Sequence, residues 1–416
     1  MEKQMEKKKK KKKAQRWIKP RHTPIKWILQ MTFGQYCKLR YRIKITPLGE
    51  KHERQYLVLY NHQTAYDQFF VGLAFKKPLY YIASEDIFSM GFLSKLIKFL
   101  VEPIPIKKQA TDVRSMLNCM KVVKEGGSIA LAPEGNRTYS GKTEYINPAI
   151  IMLAKRMGLP IAIMRIEGGY GVAPRWGDKI RRGKMRSYVA RVIEPEEYNS
   201  LDDCEFASLI EKELYVDETL YGGEYHGKNL AEYLERAIYY CPKCNALSTF
   251  ESHGDEMECK KCGMKVQYLP TKELRGLNFE LPYRFVADWY AAQSDFVNSL
   301  RLDDFGKEPI YCENGSLAEV IVYKNKKALI EEAKIRLFAD RLEASGNGES
   351  FVFPLAEIRA ITVCGKNKLN LYFGDKLYQI TGDKRFNALK YVNLTFRYKN
   401  IIKEEKGEGY DKFLGL

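Results

Sequence analysis

The sequence predicts an α/β domain with a mostly parallel sheet covered by helices on both faces, followed by a small cysteine-bearing module and a smaller, mainly-β, barrel-like domain. Three observations support this prediction. Short apolar runs alternate with longer amphipathic runs from residue 41 to about residue 215, a pattern typical of parallel sheets. Four cysteines then occur in two closely spaced pairs. Between residues 316 and 382, short apolar runs recur about every 8–12 residues, separated by turn residues.

The N-terminal tail carries more than half of the net positive charge. Residues 1–26 hold ten lysines, two arginines and two glutamates, a net charge of +10 out of +17, which leaves +7 for the other 390 residues. We expect this basic tail to be disordered. The tail suits binding to an anionic membrane surface, where each cation contributes about 1 kcal/mol to the binding free energy. It also suits binding to nucleic acid. The remaining interpretation is a solvated end that aids solubility. The chain as a whole, with 45% hydrophobic residues, has a globular composition.

Neither a signal peptide nor a spanning helix is predicted. The apolar run at residues 27–33 contains glutamine and threonine and is too short for a signal sequence, and no stretch of about 18 apolar residues occurs. Residues 17–40 predict one amphipathic helix or two short ones, suited to the bilayer interface or to packing on its own domain. We therefore expect a cytoplasmic protein, attached peripherally to the inner face of the membrane, with its nine cysteines reduced.

The alternating region is predicted to contain six strands and five helices. The strands are expected at residues 55–60, 79–83, 104–106, 128–132, 160–166 and 186–193. The helices are expected at residues 67–76, 88–100, 112–125, 147–157 and 204–216. In open α/β sheets, ligands bind at the carboxyl ends of the strands. Polar residues that directly follow a predicted strand are therefore the first candidates for a site.

Two polar segments meet this condition. Residues 61–67 read Asn-His-Gln-Thr-Ala-Tyr-Asp, and residues 131–137 read Leu-Ala-Pro-Glu-Gly-Asn-Arg. An imidazole held by a carboxylate, as His62 and Asp67 can be, takes a proton from a hydroxyl near neutral pH. No serine or cysteine in either segment is an obvious nucleophile, so the hydroxyl is expected to belong to the substrate. The alternative interpretation is a surface histidine that lies near an aspartate without function.

Together the two segments resemble motifs of the glycerolipid acyltransferases that make phosphatidate from lysophosphatidate. The first motif of that family is Asn-His-x-Ser-x-x-Asp, and Thr64 stands here in the serine position. The third is Phe-Pro-Glu-Gly-Thr-Arg-Ser, which residues 132–138 match with Ala132, Asn136 and Thr138 as departures. The resemblance covers about residues 50–215. It implies transfer of an acyl group from acyl-CoA or acyl carrier protein, as co-substrate, to a lysophosphatidate-type lipid acceptor.

The resemblance also implies a role for each matching residue. His62 is expected to be the general base and Asp67 to orient it, while Glu134 orients the arginine that binds the acceptor phosphate. The remaining residues of the motifs are expected to bind the substrate (Gly135, Arg137 and Lys108) or to support the loop (Asn61 and Thr64).

Departures from the family pattern in the second motif, where Glu102 also replaces the usual glycine, leave the acceptor open. Lys108 replaces an arginine of the second motif, at residues 104–108, and a lysine keeps the charge but loses the bidentate fork. Ile163 replaces the second proline of the fourth motif, which affects the shape of the pocket more than its chemistry. Glycerol-3-phosphate, another lysophospholipid or a lipid without phosphate therefore remain as alternative acceptors.

The predicted helix that ends near Val101 is strongly apolar but carries Lys95 and Lys98. The resemblance implies that this region helps to form the acyl-chain channel and the membrane-facing surface. The alternative is a core helix whose lysines extend to the solvent.

The two cysteine pairs predict a structural zinc ribbon. Cys241 and Cys244 form one Cys-x2-Cys knuckle, and Cys259 and Cys262 form another, 14 residues further on. Four thiolates complete a tetrahedral zinc site and leave no open position for catalysis. A ribbon together with a basic tail also suits a nucleic-acid-binding protein, but no base-reading element is recognisable, and nucleic acid is the less favoured partner.

The C-terminal part predicts a small β domain between helices. A helix is expected at residues 283–300, the first strand at residues 319–323 and the last helix at residues 383–398. Seven short strands followed by one helix resemble, by pattern only, the pleckstrin-homology or GRAM type of barrel. The predicted division of the chain is a tail at 1–26, an acyltransferase domain with an N-terminal interfacial helix at 27–225, the ribbon at 226–270, a helical connector at 271–315, the β domain at 316–402 and a tail at 403–416.

Overall fold

The computed structural model describes residues 16–49, 54–106, 113–321 and 326–408. The unbroken lysines of the tail, residues 7–13, lie outside the described residues, as do Lys108 of the second motif and residues 409–416. No helix in the described ranges combines the length and the apolar character needed to cross a bilayer.

Seven strands of the described chain form the first sheet. They are β1 (Ile43–Ile45), β2 (Leu57–Tyr60), β3 (Leu79–Ser84), β4 (Ile104–Ile106), β5 (Ser128–Leu131), β6 (Ile161–Glu167) and β7 (Met185–Ile193). Their order across the sheet is β1-β7-β6-β2-β5-β3-β4. All neighbouring pairs are parallel except β6 with β7, which confirms the predicted mostly parallel sheet. The sequence did not predict β1, which directly follows α2 and in which Lys44 separates the two isoleucines, so that no apolar run marks it.

Helices cover both faces of this sheet. They are α1 (His22–Leu29) and α2 (Gln35–Tyr41), joined by a π-helical turn (Gln30–Gly34), then α3 (Asp67–Ala74), α4 (Phe92–Val101), α5 (Val113–Lys124), α6 (Ala149–Met157), α7 (Gly169–Val172), α8 (Pro195–Asn199) and α9 (Asp203–Leu214). Alternate residues of a strand point to opposite faces. Leu57 and Leu59 accordingly pack in one core with α5, α6 and α9, whereas Val58 and Tyr60 pack in another with α2 and α3.

The cysteine pairs belong to a separate small sheet. Its strands are β8 (Phe250–His253), β9 (Glu256–Cys259), β10 (Lys265–Tyr268) and β11 (Leu274–Gly276), and they pair in antiparallel fashion in the order β11-β10-β9-β8. The residue after each knuckle, Asn245 or Gly263, has a positive φ of 56° or 71°. Its N–H donates to the carbonyl of the first cysteine of the same knuckle, at 2.8 Å in both cases. The two knuckles therefore have the same turn.

Helix α10 (Val286–Ser299) leads into the second large sheet. Its strands are β12 (Tyr311–Glu319), β13 (Lys327–Leu337), β14 (Arg341–Gly346), β15 (Glu349–Pro354), β16 (Ile358–Cys364), β17 (Lys368–Phe373) and β18 (Lys376–Gly382), and helix α11 (Ala388–Glu405) packs on β16 and β17. The order β15-β14-β13-β12-β18-β17-β16 is antiparallel throughout. The edge strands β15 and β16 are consecutive in the chain and only three residues separate them, so the sheet curls into a half-barrel.

The predicted start of this sheet is wrong. The first strand was expected at residues 319–323, of which 322 and 323 lie outside the described residues, but β12 ends at Glu319 and begins eight residues earlier, inside the predicted connector. The polar run Asn314-Gly-Ser316 interrupts its apolar alternation, and its pairing with β13 is irregular next to Gly315. A bulge of this kind disturbs the two-residue periodicity on which the prediction relied.

One continuous core joins these C-terminal parts to the first domain. It includes Tyr139 and Trp176 of the first domain, Cys241 and Cys259 of the ribbon, and the inner faces of α10, α11 and the half-barrel. The surroundings of the first sheet's carboxyl edge are therefore built partly by residues far downstream.

Candidate active site

The neighbouring strands β2 and β5 bring the two polar segments together. They are parallel and in register, with Leu59 opposite Leu131, so both segments leave the sheet at the same edge. The segments also bond to each other, because the Thr138 N–H donates to the His62 carbonyl at 3.0 Å. The His62 N–H in turn donates to Oε1 of Glu134 at 2.7 Å.

His62 and Asp67 form a hydrogen-bonded pair at the start of α3. Nδ1 of the imidazole lies 2.8 Å from Oδ2 of Asp67, a carboxylate that is fully buried. This carboxylate also accepts from the N–H groups of Gln63 and Thr64 and, at 2.6 Å, from the Thr64 hydroxyl. Since Asp67 is an acceptor at every contact, Nδ1 carries the ring proton and Nε2 keeps a free lone pair.

The electrostatics of the site favour a neutral imidazole. Burial, the largest effect, lowers the pKa of His62 below its ordinary value of 6.5, and the charges of Arg137 and Arg175 act in the same direction. The hydrogen bond and the charge of Asp67 raise the pKa but do not cancel this decrease. The His62 side chain still keeps 23% of its surface exposed. At neutral pH the ring is therefore an unprotonated, accessible base.

Glu134 links the two segments rather than orienting Arg137 as expected. Its Oε1 accepts from the His62 backbone, and its Oε2 accepts from the Glu144 N–H at 2.9 Å. No hydrogen bond joins its carboxylate to Arg137 among the described residues. Burial raises the pKa of Glu134 to about 8, against the effect of these two N–H donors. Gly135 follows with φ of 71°, a conformation that glycine adopts without strain.

Asn61 and Thr64 hold the histidine loop at its two ends. The Asn61 amide donates to the carbonyl of Ile166 at 2.8 Å and accepts from its N–H at 2.7 Å, which ties the loop to β6. Thr64 bonds to Asp67 as described and also accepts from the Tyr66 N–H through its hydroxyl. Both residues lie where the sequence predicted them, beside the histidine.

A buried polar network behind the loop was not predicted. Gln63 donates to Oε1 of Glu218 at 2.9 Å, and Glu218 forms an ion pair with Lys272, 3.5 Å away. Lys272 lies between β10 and β11, so the network connects the histidine loop to the ribbon sheet. Its members are separated by 155 and 54 residues along the chain, and no local pattern could have indicated the contact.

Two arginines lie next to each other at the same edge. Arg137 was predicted; Arg175, after β6, was not. Nη1 of Arg175 donates to the Arg137 carbonyl at 2.7 Å, and its guanidinium lies over the Tyr139 ring, 4.2 Å from the centroid. Burial lowers the pKa of Arg137 to about 10, and the charge of Arg175 acts in the same direction. The edge is therefore strongly electropositive beside the base.

A cleft of about 1180 Å³ opens onto these residues. His62, Arg137 and Arg175 line it at the sheet edge, and from there it extends between the sheet and the helices α1 and α4. Leu29 and Phe33 line it from α1 and the π-helical turn, and α4 contributes Leu93, Ile97 and Leu100. A polar end that carries a base and two cations thus continues into an apolar channel.

The four cysteines converge as a zinc site requires. All four Sγ atoms lie within 4.8 Å of one another, with 3.7 Å between Cys241 and Cys262 and 3.8 Å between Cys244 and Cys259. A tetrahedron of sulfurs about 2.3 Å from a zinc ion has edges of about 3.8 Å. The residues therefore fit a structural zinc ion, which would supply folding stability.

Comparison with known proteins concerns the part of the chain that holds both motifs. Residues 42–167 match the family model described as Acyltransferase. A solved structure, that of the 1-acyl-sn-glycerophosphate (LPA) acyltransferase PlsC from Thermotoga maritima, is similar over 47% of this chain and 82% of the other, at 19% sequence identity and a TM-score of 0.39. The segment that matches the acyltransferase model, residues 42–167, is the one that carries His62, Asp67, Glu134 and Arg137.

Proposed function

We propose that this protein transfers a fatty acyl group from acyl-CoA or acyl carrier protein to the free hydroxyl of a lysophosphatidate-type glycerolipid, which gives phosphatidate. The observation that carries the proposal is that one cleft is lined by the neutral imidazole of His62, which is hydrogen-bonded to Asp67, and by Arg137, and continues into a long apolar extension. A base, an anion-binding group and a channel for hydrocarbon are what such a reaction requires.

His62 acts as the general base. Its Nε2 takes the proton of the acceptor hydroxyl while the hydroxyl oxygen forms a bond to the thioester carbonyl carbon. The carbon–sulfur bond then breaks, and the imidazolium returns the proton to the leaving thiolate, so that an ester and a free thiol result. Asp67 stabilises the imidazolium between these steps. Proton transfer of this kind contributes about 10² to 10⁴-fold, and positioning by the cleft supplies more.

Arg137 binds the acceptor's phosphate. Its guanidinium has no ion-pair partner within the described ranges, and it shares the cleft with the base. A planar fork of donors suits a phosphate group. Binding at this end directs the acceptor hydroxyl towards His62 and the hydrocarbon chain into the apolar channel.

The helices that line the channel also present apolar side chains outwards. Trp27, Ile28 and Met31 near α1 are more than half exposed, as are Phe92 and Phe99 of α4. Arg21 connects the two helices, because its Nε donates to the Phe99 carbonyl at 3.0 Å. Apolar and aromatic groups beside lysine and arginine suit the bilayer interface. We infer that this surface rests on an anionic membrane, from which lipid enters the cleft.

An acceptor panel tests the proposed function. The purified protein, with anionic vesicles and a labelled acyl thioester, is offered lysophosphatidate, glycerol-3-phosphate, another lysophospholipid and monoacylglycerol. We expect the highest kcat/KM for lysophosphatidate, and we expect His62→Ala to reduce its acylation at least hundredfold. His253→Ala, at an exposed histidine of the ribbon, is the matched control and should retain full activity. Preference for another acceptor would reject the proposed acceptor, and an active His62→Ala would reject the mechanism.

A further inference from the structure

Arg175 is a cationic residue of the cleft to which the motifs assign no role. It follows α7 in the segment Ala173-Pro-Arg-Trp-Gly177, and it is only 2% exposed although it lines the cleft together with His62 and Arg137. Its Nη1 is bonded to the backbone of Arg137. An arginine that is buried and borders a substrate cleft needs a nearby negative charge to compensate its own.

The described part of the chain supplies no carboxylate for either guanidinium. The carboxylates nearby are engaged by other groups: Asp67 by His62 and its own loop, Glu134 by two backbone N–H groups, and Glu144 by the Ser140 hydroxyl at 2.7 Å. The Nε–H of Arg175 is buried without an acceptor among the described residues. Buried donors nearly always have a partner, so an oxygen of a bound ligand is the expected one.

The half-barrel fixes the position of this guanidinium. Nη2 of Arg175 donates to the carbonyl of Val363 in β16, at 3.3 Å, and lies 3.4 Å from Oδ1 of Asn136. Residues 362–365, at the end of β16, also form part of the wall of the cleft. The C-terminal domain thus contributes directly to the polar end of the cleft, 188 residues away in sequence from Arg175.

We propose that Arg175, positioned by the carbonyl of Val363, binds the phosphate of the acceptor together with Arg137. The proposal rests on the proposed function, since it concerns the acceptor of that same reaction. Two guanidiniums offer more donors to a phosphate monoester than one. The acceptor class is therefore a lipid with a terminal phosphate, and an uncharged glycerolipid lacks the group that the pair binds.

Kinetics of Arg175→Gln with two acceptors test this assignment. For lysophosphatidate we expect the KM to rise roughly ten- to hundredfold, as for the loss of a hydrogen bond to a charged group, with the donor KM unchanged. The rate with monoacylglycerol should not fall. Arg175→Lys, which keeps the charge but not the fork, should give a smaller increase in the same KM. Because the charge of Arg175 lowers the pKa of His62, the acid limb of kcat/KM should move to higher pH in Arg175→Gln.

Lys366→Gln is the matched control. Lys366 anchors the same half-barrel turn to the loop of Arg175 through Gly177 and Asp178, but it does not line the cleft. Its removal should leave the acceptor KM unchanged. If Arg175→Gln leaves the lysophosphatidate KM unchanged while Arg137→Ala raises it, Arg175 does not bind the phosphate. If Arg175→Gln does not fold, Arg175→Lys is compared with Arg137→Ala in the same way. Equal losses with both acceptors would overturn the assignment as well, whereas a wild-type protein without acyltransferase activity would refute the proposed function itself.

Discussion

At the scale of single residues, the environment of His62 sets the pH range in which its imidazole is unprotonated and can serve as the proposed general base. The ring is neutral because burial and two arginines lower its pKa, although Asp67 raises it. A general base acts only when unprotonated. The two arginines that we propose to bind the acceptor's phosphate also lower the pKa of His62 and so favour its unprotonated form.

The pH dependence follows from the sign of this shift. Protonation of His62 removes the base, so kcat/KM should fall as the pH decreases through the His62 pKa, and we expect that acid limb below pH 6.5. Steady-state rates between pH 4.5 and about 8 would measure it. An acid limb well above pH 6.5 would contradict the assigned environment.

Asp67 is expected to act through His62. Asp67→Asn retains the size of the side chain but removes the charge that stabilises the imidazolium, and we expect kcat to fall at least hundredfold with little change in the acceptor KM. The control is Asp203→Asn, at an exposed carboxylate in the first turn of α9, which should behave as wild type. A variant of Asp67 with nearly normal kcat would contradict the role.

The sequence predicted part of the site at this scale and missed part of it. The residues of both motif segments were identified from their positions after two strands, and the structure brings His62, Asp67, Glu134 and Arg137 together. The role expected for Glu134 differs from the contacts that the structure shows, because a sequence motif does not indicate which hydrogen-bond donors lie next to a carboxylate. Arg175 and Glu218 were missed since their partners, Val363 and Gln63, are more than 150 residues away along the chain.

At the scale of the elements, the structure excludes one of the two interpretations of helix α4, namely that it is a core helix. Of its ten residues only Ser94 is buried, its channel side faces the cleft, and Phe92 is 80% exposed. Most strands and helices with strong periodicity were found within a few residues of their predicted limits. The prediction of the last helix at residues 383–398 was wrong by five and seven residues, because α11 begins at Ala388 and ends at Glu405. The bulge of β12 disturbs the periodicity from which its limits were predicted.

Vesicle binding tests the exposed face of α4. Phe92→Ser should weaken binding to anionic vesicles about tenfold or more, since burial of a phenylalanine side chain contributes about 1.5–3 kcal/mol, and should leave the melting temperature unchanged. Leu220→Ser is the control, because Leu220 is 82% exposed and lies outside α1 and α4. Sedimentation with vesicles measures both variants. Equal binding by Phe92→Ser and wild type would exclude α4 from the contact.

At the scale of the whole molecule, the ribbon is connected to the candidate active site by packing and by hydrogen bonds. Its cysteines share a core with Trp176, and Lys272 reaches the histidine loop through Glu218 and Gln63. Zinc–thiolate binding is itself folding free energy. A change in the ribbon should therefore affect the loop that holds His62.

Removal of the metal is expected to destabilise the entire protein. Chelation should release one zinc ion per chain and lower the melting temperature together with acyltransferase activity, and Cys244→Ser should do the same. Cys204→Ser, at an exposed cysteine outside the cluster, is the matched control. Metal analysis and calorimetry measure these effects. Loss of metal without any change in melting temperature would contradict a structural role.

Trp176 and Tyr139 pack in the core formed by the C-terminal parts, and this limits where the chain can be cut or fused to another domain. A fragment that stopped after the first domain would expose both aromatic rings to water and lose the carbonyl that orients Arg175. The segment that matches the acyltransferase model, residues 42–167, is consequently not a self-sufficient unit here. Gene fusions, truncations or domain exchanges that separate it from its C-terminal partners should yield insoluble chains rather than a smaller enzyme.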